Sequence, residues 1–467
     1  MYEKMSGQMR IIDYTLSDTF TLDPENRWVV KAKLVPWELA EEKYEHMFRK
    51  NGRKAKDIRV ALGALLIQQD LKCSDELTVQ HIMENPYLQH FIGMDKWSSK
   101  APFDPSLMVW FRKRLSKKAL ESINEEMVRR TAQPEPVEDG NDDDDEPHGG
   151  TLILDATCAP ADIAYPTDTA LLADAIEKTD EIIDELHSPN IGKQPRPRTY
   201  RQKSRKTFTS FIKQRSPSKK IIRSTIRRQL GFLRRNLKAI EAMCENSSEP
   251  TQKQEQLLQT IRTLYEQQRF MHSNKTHAAE NRIVSISQPH IRPIPRGKKK
   301  AKTEFGAKVA LSVVNGYTFT DHISYDNFNE GTMLGESIKR YKERFGMLPS
   351  KILGDTIYRN NKNRELCKSL GIHLSGLPLG RRSAEKYRQQ IKEFKADCGA
   401  RSEIEGKIGT AKTRYGMNAI HAKLPDSGLS VIVMSVLAMN LNKLAKAFLR
   451  RFLYMRFYPR FFIPKTG

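Results

Sequence analysis

The chain has no apolar run of the length a membrane-spanning helix needs, roughly 20 residues; its longest, Leu429 to Met439, falls far short. The opening MYEKMSGQMR leads into no apolar stretch of the signal-peptide kind. Cysteine is sparse: Cys73, Cys158, Cys244, Cys367 and Cys398 are odd in number, scattered and without CxxC spacing. That excludes a disulfide framework and a thiolate zinc site, and the expected compartment is a reducing cytoplasm. Acid is missing from one stretch altogether. Between Lys193 and Lys238 there are 17 Lys or Arg and no Asp or Glu.

What the chain has in excess is positive charge. Lys and Arg outnumber Asp and Glu by 79 to 56, a formal charge of +23, which favours a polyanionic partner, double-stranded DNA first, over a membrane. A length of 467 residues calls for two or three domains.

Composition changes mark where those domains divide. From Pro36 to about Thr131, apolar residues recur at helical spacing in IRVALGALLIQQ and LMVWFRKRL, and Pro86, Pro102 and Pro105 cut the stretch into short helices. The segment QPEPVEDGNDDDDEPHGG, Gln133 to Gly150, joins proline, glycine and like charge, and reads as a linker. TLILDATCAP is a short apolar run suited to a strand covered on both faces. Thr169 to about Arg282 is helical again and carries the basic stretch, with Arg223, Arg227 and Arg234 as its candidate phosphate contacts. Then EFGAKVALSVV and YTFTDHISYD flank Asn315 and Gly316, a dipeptide that tolerates positive φ at both turn positions and so signals a hairpin. A helix around Met333 to Phe345 and the strand KILGD complete a ββαβ run, and helix follows from Glu385, ending in the aromatic and arginine-rich LRRFLYMRFYPRFF.

Two carboxylates stand where burial makes them costly. Asp155 lies inside an apolar strand and Asp355 at the end of KILGD; an ionised carboxylate there loses hydration worth several kcal/mol unless a cation pairs with it. In a sheet with parallel neighbours the two can converge on one site. Carboxylates bridging two divalent ions about 3.5 to 4 Å apart activate a hydroxyl nucleophile and stabilise a leaving oxygen in phosphodiester displacement, and oxygen-only ligation points to Mg²⁺ or Mn²⁺. The third ligand is Glu403 or Glu405. At 100° per residue, Arg401, Glu405 and Lys412 fall within about 40° of one another, whereas Glu403 points about 160° from Glu405, which selects Glu405, with Arg401 and Lys412 as phosphate contacts beside it. Gly406 and Gly409 each cost a helix about 1 kcal/mol relative to alanine, so a close neighbour, a strand or a DNA backbone, is expected there.

These residues bring a resemblance into view. LDATCAPADIAYPTD, LGDTIYRNNKNRELCKSLGIHLSGLPLGR, RSEIEGKIGTAKTRYGM, and in the N-terminal part NPYLQHFIGMDKW and FDPSLMVWFRKRL, resemble the insertion-sequence DDE transposases of the insertion-sequence-five superfamily, in its eleven-eighty-two branch. The resemblance implies an α/β catalytic core of RNase H-like fold, a mixed sheet with flanking helices, together with an N-terminal all-α domain and a helical insertion. It implies residues 1–132 as a DNA-binding and assembly domain, 133–150 as linker, 151–168 and 298–447 as the two parts of the core, 169–297 as the basic insertion and 448–467 as a tail. It gives Asp155, Asp355 and Glu405 the triad roles on two Mg²⁺ or Mn²⁺ ions, with cleavage at transposon ends and joining of the 3′-hydroxyl to target DNA, and it suggests a homodimer or higher assembly on DNA in a prokaryotic cytoplasm, at the nucleoid. Arg401 and Lys412 match the family's signature around the glutamate, while Cys398 stands where it has tyrosine.

Other readings stand beside these. Asp155 could bond backbone amides, Asp168 could cap the helix that follows it, Asp326 could bind metal or end a solvated turn, and Glu405 could form a surface pair with Arg401. Arg381 and Arg382 could grip phosphate or lie in a solvated loop. The tail could stack on bases or pack as a helix on the core. For function the alternatives are a metal-dependent nuclease that does not join, or a non-catalytic DNA-binding protein derived from a transposase.

Overall fold

The computed structural model describes residues 15–17, 20–48, 55–136, 147–190, 195–245, 249–295, 303–377 and 384–457. A short antiparallel ribbon, β1 (Thr15–Ser17) with β2 (Phe20–Thr21), precedes seven helices: α1 (Arg27–Leu34), α2 (Trp37–Glu45), α3 (Ile58–Leu71), α4 (Asp75–Glu84), α5 (Pro86–Phe91), α6 (Leu107–Arg114) and α7 (Lys117–Ala132). Their starts are set by side-chain caps. Asn26, Asp57, Ser74, Asn85 and Ser116 each accept a hydrogen bond from a backbone N–H of the first turn, and Pro86 follows its cap where a missing N–H costs nothing.

The strand β3 (Thr151–Pro160) comes next, then the helices α8 (Asp168–His187), α9 (Arg201–Ile212), α10 (Lys219–Glu245) and α11 (Gln252–Asn274). After them run β4 (Arg292–Pro295), β5 (Thr303–Val314), β6 (Tyr317–Ser324), α12 (Leu334–Phe345), β7 (Lys351–Leu353), α13 (Asn361–Ser369), β8 (His373–Leu374), α14 (Ala384–Arg414) and α15 (Pro425–Phe457).

Two compact units divide these elements. One takes the described residues up to Pro160, with Lys308–Ser324 and those from Phe328 on; the other takes those of Ala161–Ala307 with Tyr325–Asn327. In the first, β3 is central to a mixed sheet in the order β6, β5, β3, β7, β8. β5 and β6 form the antiparallel hairpin, with Asn315 at φ 50° and Gly316 at φ 76° in its two-residue turn, while β3, β7 and β8 run parallel.

Helix α15 is the spine of this unit and packs on α1, α3, α6, α7 and β6. By length and composition alone it is long and apolar enough to cross a membrane, which corrects the sequence reading, but 83% of its apolar 18-residue window is buried inside the protein. The sequence misses it because polar residues such as Asn440 and Asn442 break the apolar run, and both are satisfied internally. Asn440 Nδ2 donates to the Thr318 carbonyl (2.7 Å) and Asn124 Oδ1 (2.9 Å), its Oδ1 accepts from Thr318 N, and Asn442 donates to Asp70. The N-terminal helices and the mixed sheet therefore share one core. Arg344 of α12 ties them further, donating to Asp321 of β6 and to Glu125 of α7, each at 2.7 Å. The segment 448–457, read as the start of a tail, continues the α15 helix; 458–467 lie outside the described residues.

The second unit is built on α8, α10 and α11, with α9 against α8 and α10. Ile226, Leu230, Leu233, Leu237 and Ile240 form one face of α10 at helical spacing and pack with Leu172, Ile176 and Ile183 of α8 and Leu258, Ile261 and Leu264 of α11. Thr167 is the cap of α8, and Asp168 instead accepts from Arg282 (2.7 Å) and Gln268 (2.8 Å). The N-capping expected of Asp168 is thus performed one residue earlier, because Asp168 already has the helical conformation.

Candidate active site

The parallel pairing of β3 with β7 sets the geometry. Thr151 pairs with Lys351, Leu152 with Ile352 and Ile153 with Leu353. The pairing ends two residues before each aspartate, so Asp155, within β3, and Asp355, just past the end of β7, follow the paired residues by the same count, and alternation puts Asp155 on the opposite face of β3 from Leu152 and Leu154. Just before Asp355, Gly354 leaves no room for a side chain, since a Cβ there would stand 2.9 Å from the Tyr358 ring. The Asp355 carboxylate accepts from Thr356 N at 2.7 Å and caps the 3-10 turn Thr356–Tyr358.

Helix α14 packs against β3 and β7 through an inward face that includes the fully buried Ile404 and Ala411. Arg401 and Glu405 flank that face one turn apart. The Arg401 guanidinium lies 3.2 Å from Asp355 and 3.9 Å from Glu405, so the i, i+4 pair weighed from the sequence exists and Arg401 also reaches the second aspartate. Glu403 points elsewhere, toward Lys407 and the Asn315–Gly316 turn. Lys412, two turns beyond Glu405, is half-buried.

Asp155 is half-buried, and its carboxyl is held above the usual carboxylate range by burial first; Glu330 and Glu405 add to the rise, while the Ala156 N–H (2.8 Å) and Arg401 oppose it. Glu330 is a carboxylate the sequence reading missed. It pairs with Lys308 at 2.9 Å, and Lys308 itself donates to the Phe328 carbonyl. The signal was Lys308, a charge in the middle of an apolar strand that needs a partner; nothing linear connects position 330 to 155.

The chemistry of the donors fits a divalent cation. Asp155, Asp355, Glu405 and Glu330 offer oxygen only, and the carboxylate repulsion felt at Asp155 is what a cation relieves. As placed, Arg401 fills part of that role: among the described residues no three His, Cys, Asp or Glu side chains stand together closely enough to hold a metal ion. Beside Asp355 lies a cavity of about 110 Å³ lined by Arg359, Ser375, Asp397, Cys398 and Arg401. Cys398, where the family pattern has tyrosine, therefore lines a space next to the second aspartate.

The other expected contacts divide. Arg223 is half-buried and donates to the His272 carbonyl at the end of α11 (3.2 Å), a structural bond. Arg227 and Arg234 are exposed and fall with Lys238 within about 40° on one flank of α10. The basic stretch is less free than its lack of acid suggested: Arg196 and Arg201 pair with Asp184, Arg201 with Asp180, and Arg205 with Glu177, all on α8. Arg381 and Arg382 lie outside the described residues. Asp326 is exposed and pairs at 3.9 Å with Arg292, as a solvated turn would. Among the described residues Gly406 and Gly409 have nothing within 4 Å of where a Cβ would stand, so no described strand demands their small size.

Comparisons with known proteins bear on the family. Residues 352–442 match the family model described as Transposase DDE domain, and residues 18–114 match Transposase domain (DUF772). The first match contains Asp355 and Glu405; Asp155 lies between the two. An uncharacterized protein, ORF8 in the nfe locus of Rhizobium meliloti, is 31% identical over 161 residues, 33% of this chain and 72% of that protein. No solved structure matches the chain.

Proposed function

Because the chain belongs to the insertion-sequence DDE transposases, enzymes of the polynucleotidyl transferase and endonuclease class, we propose that it binds the ends of its own element, cuts them at Asp155, Asp355 and Glu405, and joins the freed 3′-hydroxyl to target DNA. The observation that supports this reading is the parallel pairing of β3 with β7, which ends two residues before each aspartate, together with Arg401 of α14 standing near both Asp355 and Glu405.

The family works with divalent ions, and two Mg²⁺ or Mn²⁺ held by Asp155, Asp355 and Glu405 would supply a lowered pKa for the attacking hydroxyl and charge stabilisation for the leaving oxygen. Around them the chain's own groups have distinct tasks. Arg401 orients Asp355 and Glu405 before DNA arrives and then turns to phosphate, as Lys412 does. Arg227 and Arg234 would track a backbone on the insertion, with Arg381 and Arg382 as further phosphate contacts. The helices before Gln133 would recognise and pair the ends, which calls for a homodimer or higher assembly, and the setting is a prokaryotic cytoplasm at the nucleoid.

Incubation of the protein with the DNA flanking its own gene, with Mg²⁺ or Mn²⁺, followed by mapping of the cut 3′ ends, tests the reading. Cuts at the two element boundaries, and joined products from pre-cut ends, are expected. Cuts without joining would leave a nuclease. No cuts at all would leave a DNA-binding protein that has lost the chemistry.

A further inference from the structure

On the side of α14 turned away from the carboxylates, a cleft of about 300 Å³ opens between α14 and α15. Five of its lining residues are cations, Lys407 and Arg414 from α14 and Lys443, Lys446 and Arg450 from α15, and none is acidic. The spacing on the two helices is the same. Lys407, Thr410 and Arg414 follow i, i+3, i+7, as do Lys443, Lys446 and Arg450, so each helix lays a row of about 10 Å along the cleft. Over that length of duplex axis one DNA strand contributes about three phosphates, one per 3.4 Å of axis. A point anion would need one of these cations; two parallel rows match a chain of phosphates.

Local charge is left unbalanced in the cleft. Two acids border it: Glu403 meets Lys407 at 4.0 Å and acts on Lys443 as well, and Asp70, bonded to Asn442, is already paired with Lys31; Lys443 also donates to the Asn315 carbonyl (2.9 Å) and lies over the Tyr317 ring (4.2 Å), so the cations outnumber the acids. Burial, with Lys407 beside it, pulls Lys443 down to about 8, a cost that an entering anion removes. Around α14, Lys407 and Arg414 lie about 160° to 180° from Glu405, so a strand at the carboxylates does not reach them.

We propose that this cleft is a second DNA-binding site, which holds the backbone of a duplex segment separate from the strand being cut. The inference rests on the transposase reading for the identity of the polyanion, and on the cleft alone for its place. Lys446 and Arg450 are exposed and can be reversed without touching the core. The test measures binding of a labelled duplex by the full chain in chelator, from 50 to 200 mM salt, for the wild type, for Lys446→Glu with Arg450→Glu, and for Lys339→Glu with Lys368→Glu, an equal charge change at exposed positions elsewhere. With two cations withdrawn from the DNA backbone, the salt slope of log affinity should become shallower by about 2, and affinity at low salt should fall well below that of the Lys339/Lys368 variant. Lys446→Gln with Arg450→Gln should move both readouts the same way by less. A slope and affinity equal to the wild type, or a loss matched by the Lys339/Lys368 variant, overturns the cleft. Metal-dependent cleavage by the wild type is read separately: its absence overturns the catalytic reading, while the slope change still upholds the cleft.

Discussion

Replacing Arg344 by methionine probes whether the N-terminal helices and the mixed sheet are one folding unit. The Arg344 side chain is 3% exposed and joins Asp321, 1% exposed, to Glu125, 32% exposed. Without the guanidinium, Glu125 can turn to water and the Thr320 carbonyl keeps its bond from Arg340. Asp321 has no such outlet: it retains the Ser312 hydroxyl at 2.9 Å but loses the charge that balances it. Breaking a buried pair in this way costs about 3 to 5 kcal/mol, which in a unit of this size lowers the melting temperature by about 6 to 10 °C. Adding Asp321→Leu removes the stranded charge and should recover most of the loss. All four tryptophans, Trp28, Trp37, Trp97 and Trp110, precede α7, so their fluorescence reports the N-terminal helices while the lesion sits at α12 and β6. Urea unfolding followed by tryptophan emission should shift with Arg344→Met. An unmoved transition would refute the shared core, and a double variant no better than the single would refute the stranded-charge argument.

Three further outcomes are expected. His90, 3% exposed, is pulled to about 4 by burial, with Arg59 and Lys33 adding; the unfolded chain then binds the extra proton between pH 6.5 and 4, and folding stability falls through that window as pH drops, by up to about 3 kcal/mol. His90→Gln should flatten the dependence in urea titrations at pH 7, 5.5 and 4.5, and equal slopes for variant and wild type would contradict it. Arg401→Ala should slow metal-dependent cleavage on the order of 10²-fold with little change in duplex binding, whereas unchanged cleavage would remove Arg401 from the site. Gly406→Ala should raise stability by up to about 1 kcal/mol, because the side chain meets open space; a loss in the melting temperature would show a neighbour that the fold does not contain.

The parts legible in the sequence are those written in local patterns. The Asn315–Gly316 hairpin follows from turn chemistry, the separation of Glu405 from Glu403 from helical angle, and the buried strand around Asp155 from its apolar run. What required the fold is non-local. Glu330 reaches Asp155 only through the path of the loop after the hairpin, and Arg223 meets a carbonyl of another helix. The pairing of Arg196, Arg201 and Arg205 with α8 shows why a run of one charge sign says little about its partners: the acids lie on a neighbouring helix. α15 was hidden because polar side chains interrupt it, and each finds its partner across a packed interface. The empty space around Gly406 and Gly409 separates two expectations the sequence had joined, since the helix pays for glycine without any protein neighbour requiring it.

The central claim is that Asp155 of β3, with Asp355 just past the end of the parallel neighbour β7, is part of the cutting machinery. Asp155→Asn keeps the size of the side chain and its bond from Ala156 N, so fold and duplex binding should survive. Cleavage of the DNA flanking its own gene, measured in Mg²⁺ for this variant beside the wild type, should then be lost. Full cleavage by Asp155→Asn would contradict the account.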